Sequence, residues 1–175
     1  MKQIKLIGCD LDGTFFPDHV TMPEENARAV AKAREKGIMV CPCTTRNHIA
    51  GKRMMDFGGF DEYAVICNGG AIINRHTGEV LDKTPIPAEY IVQLVRICKE
   101  AGLSCGVFTA SKLVAYMPTF QGGFDRIFEQ EAPADERYVY AETEEELYQI
   151  CDGEALLLII TNGDGGNTMD LGGAF

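Results

Sequence analysis

The residues best suited to chemistry stand near the amino terminus, in the stretch IKLIGCDLDGTFF. There an apolar run delivers Asp10 and Asp12, with Gly13 and Thr14 following at once. At a strand end, such a turn aims both carboxylates at one point while backbone N–H groups of the glycine loop face an anion. A carboxylate that attacks phosphorus needs a divalent cation to offset the repulsion between two anions, and a neighbouring acid to protonate the leaving oxygen. Two aspartates and a phosphate supply both. The bland alternative is an Asx-turn that closes the strand, for which one aspartate suffices.

Carboxylates in that arrangement need a strand behind them and a scaffold beside them. Ile4 to Cys9 reads as the strand. Thr21 to Gly37 reads as a helix, with Thr21 and Glu24 as a T-x-x-E capping box, Pro23 tolerated in the first turn and Gly37 as a stop. Ile38 to Cys43 is a second strand, Asn47 to Phe57 a weaker helix closed by Gly58 and Gly59, and Tyr63 to Cys67 a third strand. Alternation of this kind predicts an α/β fold with a doubly wound parallel sheet that binds ligands at the carboxyl ends of its strands. Function is therefore to be sought just after Cys9, Cys43 and Cys67.

The rhythm changes after Gly70. Ala71 to Asn74 and Glu79 to Leu81 read as a hairpin, Pro85 and Pro87 mark a junction, and Ala88 to Ala101 is a helix with Ile91, Leu94, Val95 and Cys98 on one stripe. Leu103 to Phe108 can pair with Leu113 to Met117, Thr143 starts an acidic helix, and Ala155 to Ile160 is a strand. Three regions follow: 1–81, an inserted α+β module over 82–161, and a glycine-rich tail over 162–175. Phe120, Phe124 and Phe128 recur every four positions, as a core helix does. His19, His48 and His76 share no metal-ligand spacing.

Composition narrows the partners. The 175 residues carry 16 Lys+Arg against 26 Asp+Glu, a net charge of −10, with 46% hydrophobic residues. That apolar fraction builds a real core. A surface this acidic is repelled by nucleic-acid phosphates and by anionic membranes, so neither is an expected partner. Ten of the acids lie between Asp125 and Asp152 with only Arg126 and Arg137 as bases, which marks a solvated face. The seven cysteines are odd in number and form no C-x-x-C pair, and Cys9, Cys67 and Cys98 sit in apolar runs like buried free thiols. A reducing, cytoplasmic compartment is expected, with no signal peptide and no membrane span.

The hhhhDLDGT opening resembles motif one of the haloacid dehalogenase-like (HAD) hydrolases. In their Cof-type branch the second strand is followed by T-G-R and the third by N-G-A. Here the matching positions are Thr44, Thr45 and Arg46, then Asn68, Gly69, Gly70 and Ala71. The resemblance implies an HAD-like core with an inserted cap, and Mg²⁺-dependent hydrolysis of a small phosphorylated metabolite, of sugar-phosphate type, through an aspartyl-phosphate. By position it makes Asp10 the nucleophile and a metal ligand. Asp12 becomes the general acid and base, binding the metal through its main-chain carbonyl, and Thr44 bonds the transferring phosphoryl group. Gly13, Thr14, Thr45, Arg46, Asn68 and Gly69 would bind substrate.

Two departures stand out: Thr45 replaces the family's glycine, and Pro42 interrupts the second apolar run. The family also needs a later lysine and a GD motif completing the metal site. Lys83, Lys99 and Lys112 are the lysines available, and Gly163, Asp164 and Asn167 echo the GD motif, with Thr168 where the final aspartate belongs. If Leu156 to Ile160 is a fourth core strand, Asp164 faces Asp10 as a metal ligand and the chain is a compressed enzyme. If it is a cap strand, the chain stops before the core is finished, as a truncated, catalytically incomplete member that binds metal or phosphate weakly. A phosphomutase of similar fold is the third reading. In the cap-strand case, Ile4 to Cys9 also loses a neighbour, and its unpaired apolar edge invites self-association.

Overall fold

The three apolar runs of the first half pair in parallel. β1 (Leu6–Asp10) lies beside β2 (Met39–Cys43), and β2 beside β3 (Tyr63–Ile66). β4 (Ala71–Asn74) and β5 (Val80–Lys83) add an antiparallel hairpin, giving the order β1-β2-β3-β4-β5. The computed structural model describes residues 3–19, 21–120 and 133–161. The chain divides into two compact units, Met1–Lys83 and Thr84–Phe175; β5 carries the first of them past residue 81 to Lys83.

Side-chain alternation gives this sheet two unlike faces. Val40, Ala64, Ile66 and Ile73 are buried on one, where Ile7, Cys9 and Val40 share a hollow with Ala29, Val30 and Ala33 of α1 (Glu24–Glu35). On the other face Leu6 (58%), Met39, Tyr63 and Ile72 remain exposed. The ladder between β2 and β3 is reduced to one pair, Cys43 with Val65. Met39 donates its N–H to Lys5 across the β1 side, so by alternation the missing N–H of Pro42 falls on the β3 side. There the Asp61 carboxylate takes the Val40 N–H instead, at 2.7 Å.

Several expectations shift. The Thr21–Glu24 capping box does not form, because Pro23 takes the N-cap position in extended backbone and Glu24 becomes the first helical residue. The Thr21 N–H goes to Asp18 Oδ1. At the other end α1 stops at Glu35, and Gly37, at φ 71°, turns the chain into β2. Asn47 precedes α2 (His48–Phe57) as its N-cap, accepting the Ala50 N–H at 3.0 Å. Cys67 leaves β3 for a short 3₁₀ turn, Cys67–Gly69. All seven cysteines are free thiols; Cys67 and Cys98 are buried as expected, but Cys9 is only half-buried.

The second unit sets α3 (Ala88–Glu100) before β6 (Ser104–Phe108) and β7 (Leu113–Tyr116), then α4 (Ala134–Arg137), β8 (Tyr138–Ala141), α5 (Glu144–Cys151) and β9 (Leu157–Thr161). Its sheet runs β8-β7-β6-β9, and Ile91, Val95 and Cys98 of α3 pack with Leu147 and Cys151 of α5 over Cys105, Val107 and Val114. The predicted start at Thr143 is a complete capping box with Glu146. β9 pairs antiparallel with β6 along its length, so the strand after Ala155 belongs to this sheet and the fourth-core-strand reading falls. Phe120 lies outside any helix; Phe124 and Phe128 lie outside the described residues. No helix among the described residues is long and apolar enough to cross a membrane.

Two outcomes are expected from the β4–β5 turn. Gly78 sits at φ 77°, and a Cβ there would come within 2.7 Å of His48 Nδ1, whereas Gly59, at φ 66°, has open space. Gly59→Ala should therefore cost about 1–2 kcal/mol of backbone strain, and Gly78→Ala measurably more, compared by urea unfolding. His48 also donates Nε2–H to the Arg75 carbonyl at 3.0 Å, and burial pushes its pKa below the ordinary 6.5. The unfolded chain then takes the proton first as pH falls below 6.5, so stability should decline with pH from there. In His48→Gln, the midpoint of thermal unfolding should lose this part of its pH dependence.

Candidate active site

The site begins where β1 ends. Register pairs Asp10, the last residue of β1, with Cys43, the last of β2, so Thr44 leaves its strand beside the carboxylate. The turn that follows is fastened from below: Leu11, Phe15 and Phe16 are buried, and Phe15 packs on Phe60 with ring centroids 4.8 Å apart. Backbone bonds from Phe15 to the Asp10 carbonyl, Phe16 to that of Leu11 and Gly13 to that of Phe16 close the loop. Gly13 takes φ 73°, which favours glycine. With its apolar residues inward, the D-L-D-G-T-F-F turn leaves Asp10 and Asp12 at the rim. The Thr14 hydroxyl donates to Asp10 Oδ2 at 2.6 Å, while Oδ1 accepts no hydrogen bond among the described residues.

Beside Asp10 lies a hollow of about 270 Å³, lined by Asp10, Cys43, Thr44, Thr45, Val65, Asn68 and Gly69. Its far wall is strained backbone: Cys67, Asn68 and Gly69 take φ values of 50°, 54° and 93° in succession. Burial of the Cys67 side chain, whose thiol is pushed up to about 12, anchors that wall from beneath. Asn68 donates its N–H to the Thr44 carbonyl at 3.2 Å, Cys67 to that of Arg46 at 3.0 Å, and the Thr45 hydroxyl reaches Asn68 Oδ1 at 2.8 Å. The two loops after β2 and β3 are thereby one wall.

Asp12 is held differently. Arg46 grips it as a fork, Nη2 to Oδ1 at 2.8 Å and Nε to Oδ2 at 3.1 Å, and Thr44 and His19 add contacts at 3.5 Å and 3.2 Å. The guanidinium is itself anchored by Nη1 on the Ala50 carbonyl in the first turn of α2. Arg46 is only 12% exposed and Asp12 23%. Partial burial pushes the Asp12 carboxyl up, but Arg46 and then His19 outweigh it and hold the group below its ordinary value. Asp12 therefore rests as a carboxylate.

Of the residues read from the sequence as functional, Asp10, Thr44, Thr45, Asn68 and Gly69 surround one hollow. Gly13 and Thr14 shape the turn, and Arg46, expected on an anion, lies on Asp12 instead. Asp164 lies outside the described residues. His19 went unrecognised because an isolated histidine carries no spacing signal, and Cys43 and Val65 because their lining role depends on strand parity. Of the oxygen donors that the resemblance assigns to a divalent cation, the Asp10 carboxylate lines the hollow, and the described residues hold no cluster of three or more His, Cys, Asp or Glu side chains. One or two carboxylates completed by waters and a substrate phosphate is how Mg²⁺ is commonly held, so this donor set fits it.

A family model described as haloacid dehalogenase-like hydrolase matches residues 7–162. The pyridoxal phosphate phosphatase YbhA of Escherichia coli is 29% identical over 115 residues, covering 66% of this chain and 42% of that protein. Among solved structures, a haloacid dehalogenase-like hydrolase from B. subtilis superposes with TM-score 0.62 at 21% identity, over 83% of this chain and 57% of that one. A HAD subclass IIB sugar phosphatase superposes with TM-score 0.60 at 20% identity, over 86% and 56%. The chain thus spans about half the length of these relatives, and the structural likenesses establish the fold.

The Arg46–Asp12 fork is measurable without turnover. In a double-mutant cycle of Arg46→Ala and Asp12→Asn, urea unfolding should show a coupling of about 1–2 kcal/mol, because a partly buried charged pair shares one interaction. Arg46→Lys should recover only part of the loss, since an ammonium cannot form the fork. Additive losses would mean that the pair is not formed in solution.

Proposed function

The chain belongs to the haloacid dehalogenase-like hydrolases, and on that premise we propose that it carries the nucleophile side of a Mg²⁺-dependent phosphatase site for small phosphorylated metabolites. The observation that carries this reading is the hollow that brings Asp10, Thr44, Thr45 and Asn68 together at the carboxyl ends of three parallel strands. The names of the relatives support a phosphate ester as substrate: one is a pyridoxal phosphate phosphatase and another a sugar phosphatase. A sugar phosphate remains our choice of class. The free thiols suit work in a reducing cytoplasm.

In this reading Asp10 Oδ1 attacks phosphorus, forming an acyl-phosphate bond as the ester P–O bond breaks. The Thr44 and Thr45 hydroxyls, the Asn68 side-chain amide and the Gly69 N–H orient the phosphoryl oxygens. A cation held by the Asp10 carboxylate and the Asp12 carbonyl, when bound, offsets the repulsion between carboxylate and phosphate. Asp12, once protonated from solvent, gives that proton to the leaving oxygen and takes one from the water that then attacks phosphorus, releasing inorganic phosphate and restoring Asp10. To carry a proton, Asp12 has to leave the Arg46 fork, so that ion pair defines a resting state.

One observation favours a second reading. β9 lies in the second sheet, and no lysine lines the hollow, so the described residues hold the nucleophile and its walls without a cationic partner. In that reading the chain binds phosphate and metal weakly without turnover. A phosphomutase would instead return a phosphorylated product.

Phosphate release from pyridoxal phosphate and a panel of sugar phosphates, with and without Mg²⁺, separates these readings. We expect Mg²⁺-dependent release that Asp10→Asn reduces to background while thermal unfolding stays unchanged, because Asp10 is exposed at the end of β1. Asp12→Asn should lose most with poor leaving groups, where proton donation limits the rate. No release from any ester, with phosphate binding retained, would establish the incomplete reading; an isomerised phosphate ester as product would establish the mutase.

A further inference from the structure

We infer that Thr45 is a positioning residue for phosphate: its hydroxyl holds the Asn68 side chain so that the amide NH₂ is the end presented to the anion. This rests on the reading of the hollow beside Asp10 as a phosphate site. Thr45 Oγ1 donates to Asn68 Oδ1 at 2.8 Å, so the acceptor end of that amide is taken. Nδ2 meets no partner among the described residues, and Asn68 lines the hollow together with Asp10 and Gly69. The backbone beneath is fixed independently, at φ 54° and with the Asn68 N–H on the Thr44 carbonyl at 3.2 Å. Only the side-chain torsions of Asn68 are left for Thr45 to hold.

The two ends of a carboxamide have nearly the same shape, so bonding decides which of them faces a ligand. Turned over, Asn68 would offer Oδ1, an acceptor that repels phosphate oxygens and suits a cation. A hydroxyl can rotate to serve either end, but Asp10 borders the same hollow. Its carboxylate disfavours a second acceptor there and favours the NH₂, so Thr45 takes the donor's part. That donation also polarises the amide and strengthens what its N–H groups give to an anion. Because the Thr45 hydroxyl has one proton and Asn68 receives it, Thr45 acts on phosphate through Asn68. Glycine, which Thr45 replaces, has no side chain to make this bond. The clasp therefore keeps this wall for the phosphoryl oxygens and leaves cation binding to the Asp10 side.

Titration of the ¹⁵N-labelled chain with inorganic phosphate, in the presence of Mg²⁺, tests this without turnover. The Asn68 NH₂ signals are assigned by their loss in Asn68→Ala, and both they and the Gly69 amide should shift as phosphate binds. Thr45→Val keeps the shape without the hydroxyl; it should weaken binding about fivefold or more and remove the Asn68 response, while the Gly69 amide still responds at higher phosphate. Thr45→Ser should restore the affinity of the unaltered chain. In the Asn68→Ala background Thr45→Val should cost nothing further. Thr45→Val binding as tightly as the unaltered chain overturns the proposal and leaves the phosphate site standing. A further loss in the double variant places the Thr45 hydroxyl on the anion itself, and loss of the Gly69 response in Thr45→Val assigns Thr45 to building the loop; either overturns it. No shift at Asn68 or Gly69 in the unaltered chain overturns the phosphate site, and the proposal with it.

Discussion

The parallel pairing of β1 with β2, from Leu6 on Met39 to Asp10 on Cys43, is the interaction on which the site depends. Side chains alternate along a strand, so a slip of one residue would turn Asp10 toward α1 and bury it among Val30 and Val40. Two features fix the register. Ile7 and Cys9 share the α1 hollow with Val40, and the fully buried Leu11 and Phe16 draw the chain downward as soon as the strand ends. The apolar letters of D-L-D-G-T-F-F therefore do as much for the site as the acidic ones. They convert the end of a strand into a turn whose carboxylates have nowhere to go but the rim.

Pro42 shows how the neighbouring strand bears an apparent defect. A proline in an interior strand removes one ladder bond, and here it lies between the two strands that must present Asp10 and Asn68. The loss is confined to the side facing β3, where Asp61 caps the Val40 N–H and the Asp61 N–H bonds to the Val40 carbonyl. Arg34 then secures that carboxylate from α1 at 3.1 Å. The pairing with β1 is untouched, so the strand order that builds the site survives a substitution that reads as disruptive.

What the chain disclosed before its structure was known followed from local physics. The carboxylate pair after an apolar run, the helix over Asn47 to Phe57 and the acidic helix begun by Thr143 are short-range patterns, and each of them formed, Thr143 closing a capping box with Glu146. Thr21 with Glu24 is the same pattern and did not form, because Pro23 lies between them and claims the N-cap position in extended backbone. The Arg46 fork on Asp12 joins residues far apart in sequence, and no spacing rule marks it. Neither does any rule reveal that Cys67 and Asn68 take left-handed backbone. The same limit applied to Leu157–Thr161: an apolar run of that length suits a core strand or a cap strand equally, and only its pairing with Ser104–Phe108 distinguishes them.

The electrostatics of the hollow tie these features together. Among the described residues its lining offers hydroxyls, an amide and strained backbone, with Asp10 as the one charged group. The nearest guanidinium, that of Arg46, is already matched to Asp12 and anchored on Ala50. A phosphate dianion entering beside Asp10 would raise the local negative charge without compensation, and at the reduced dielectric of a protein surface a pair of like charges about 4 Å apart repels by several kcal/mol. The walls can orient such an anion but cannot hold it alone. Positive charge has to come with it, either as a divalent cation on the oxygens of Asp10 and Asp12 or as a cationic side chain from residues beyond those that line the hollow. This requirement follows from the lining itself and makes the site one half of an electrostatic pair.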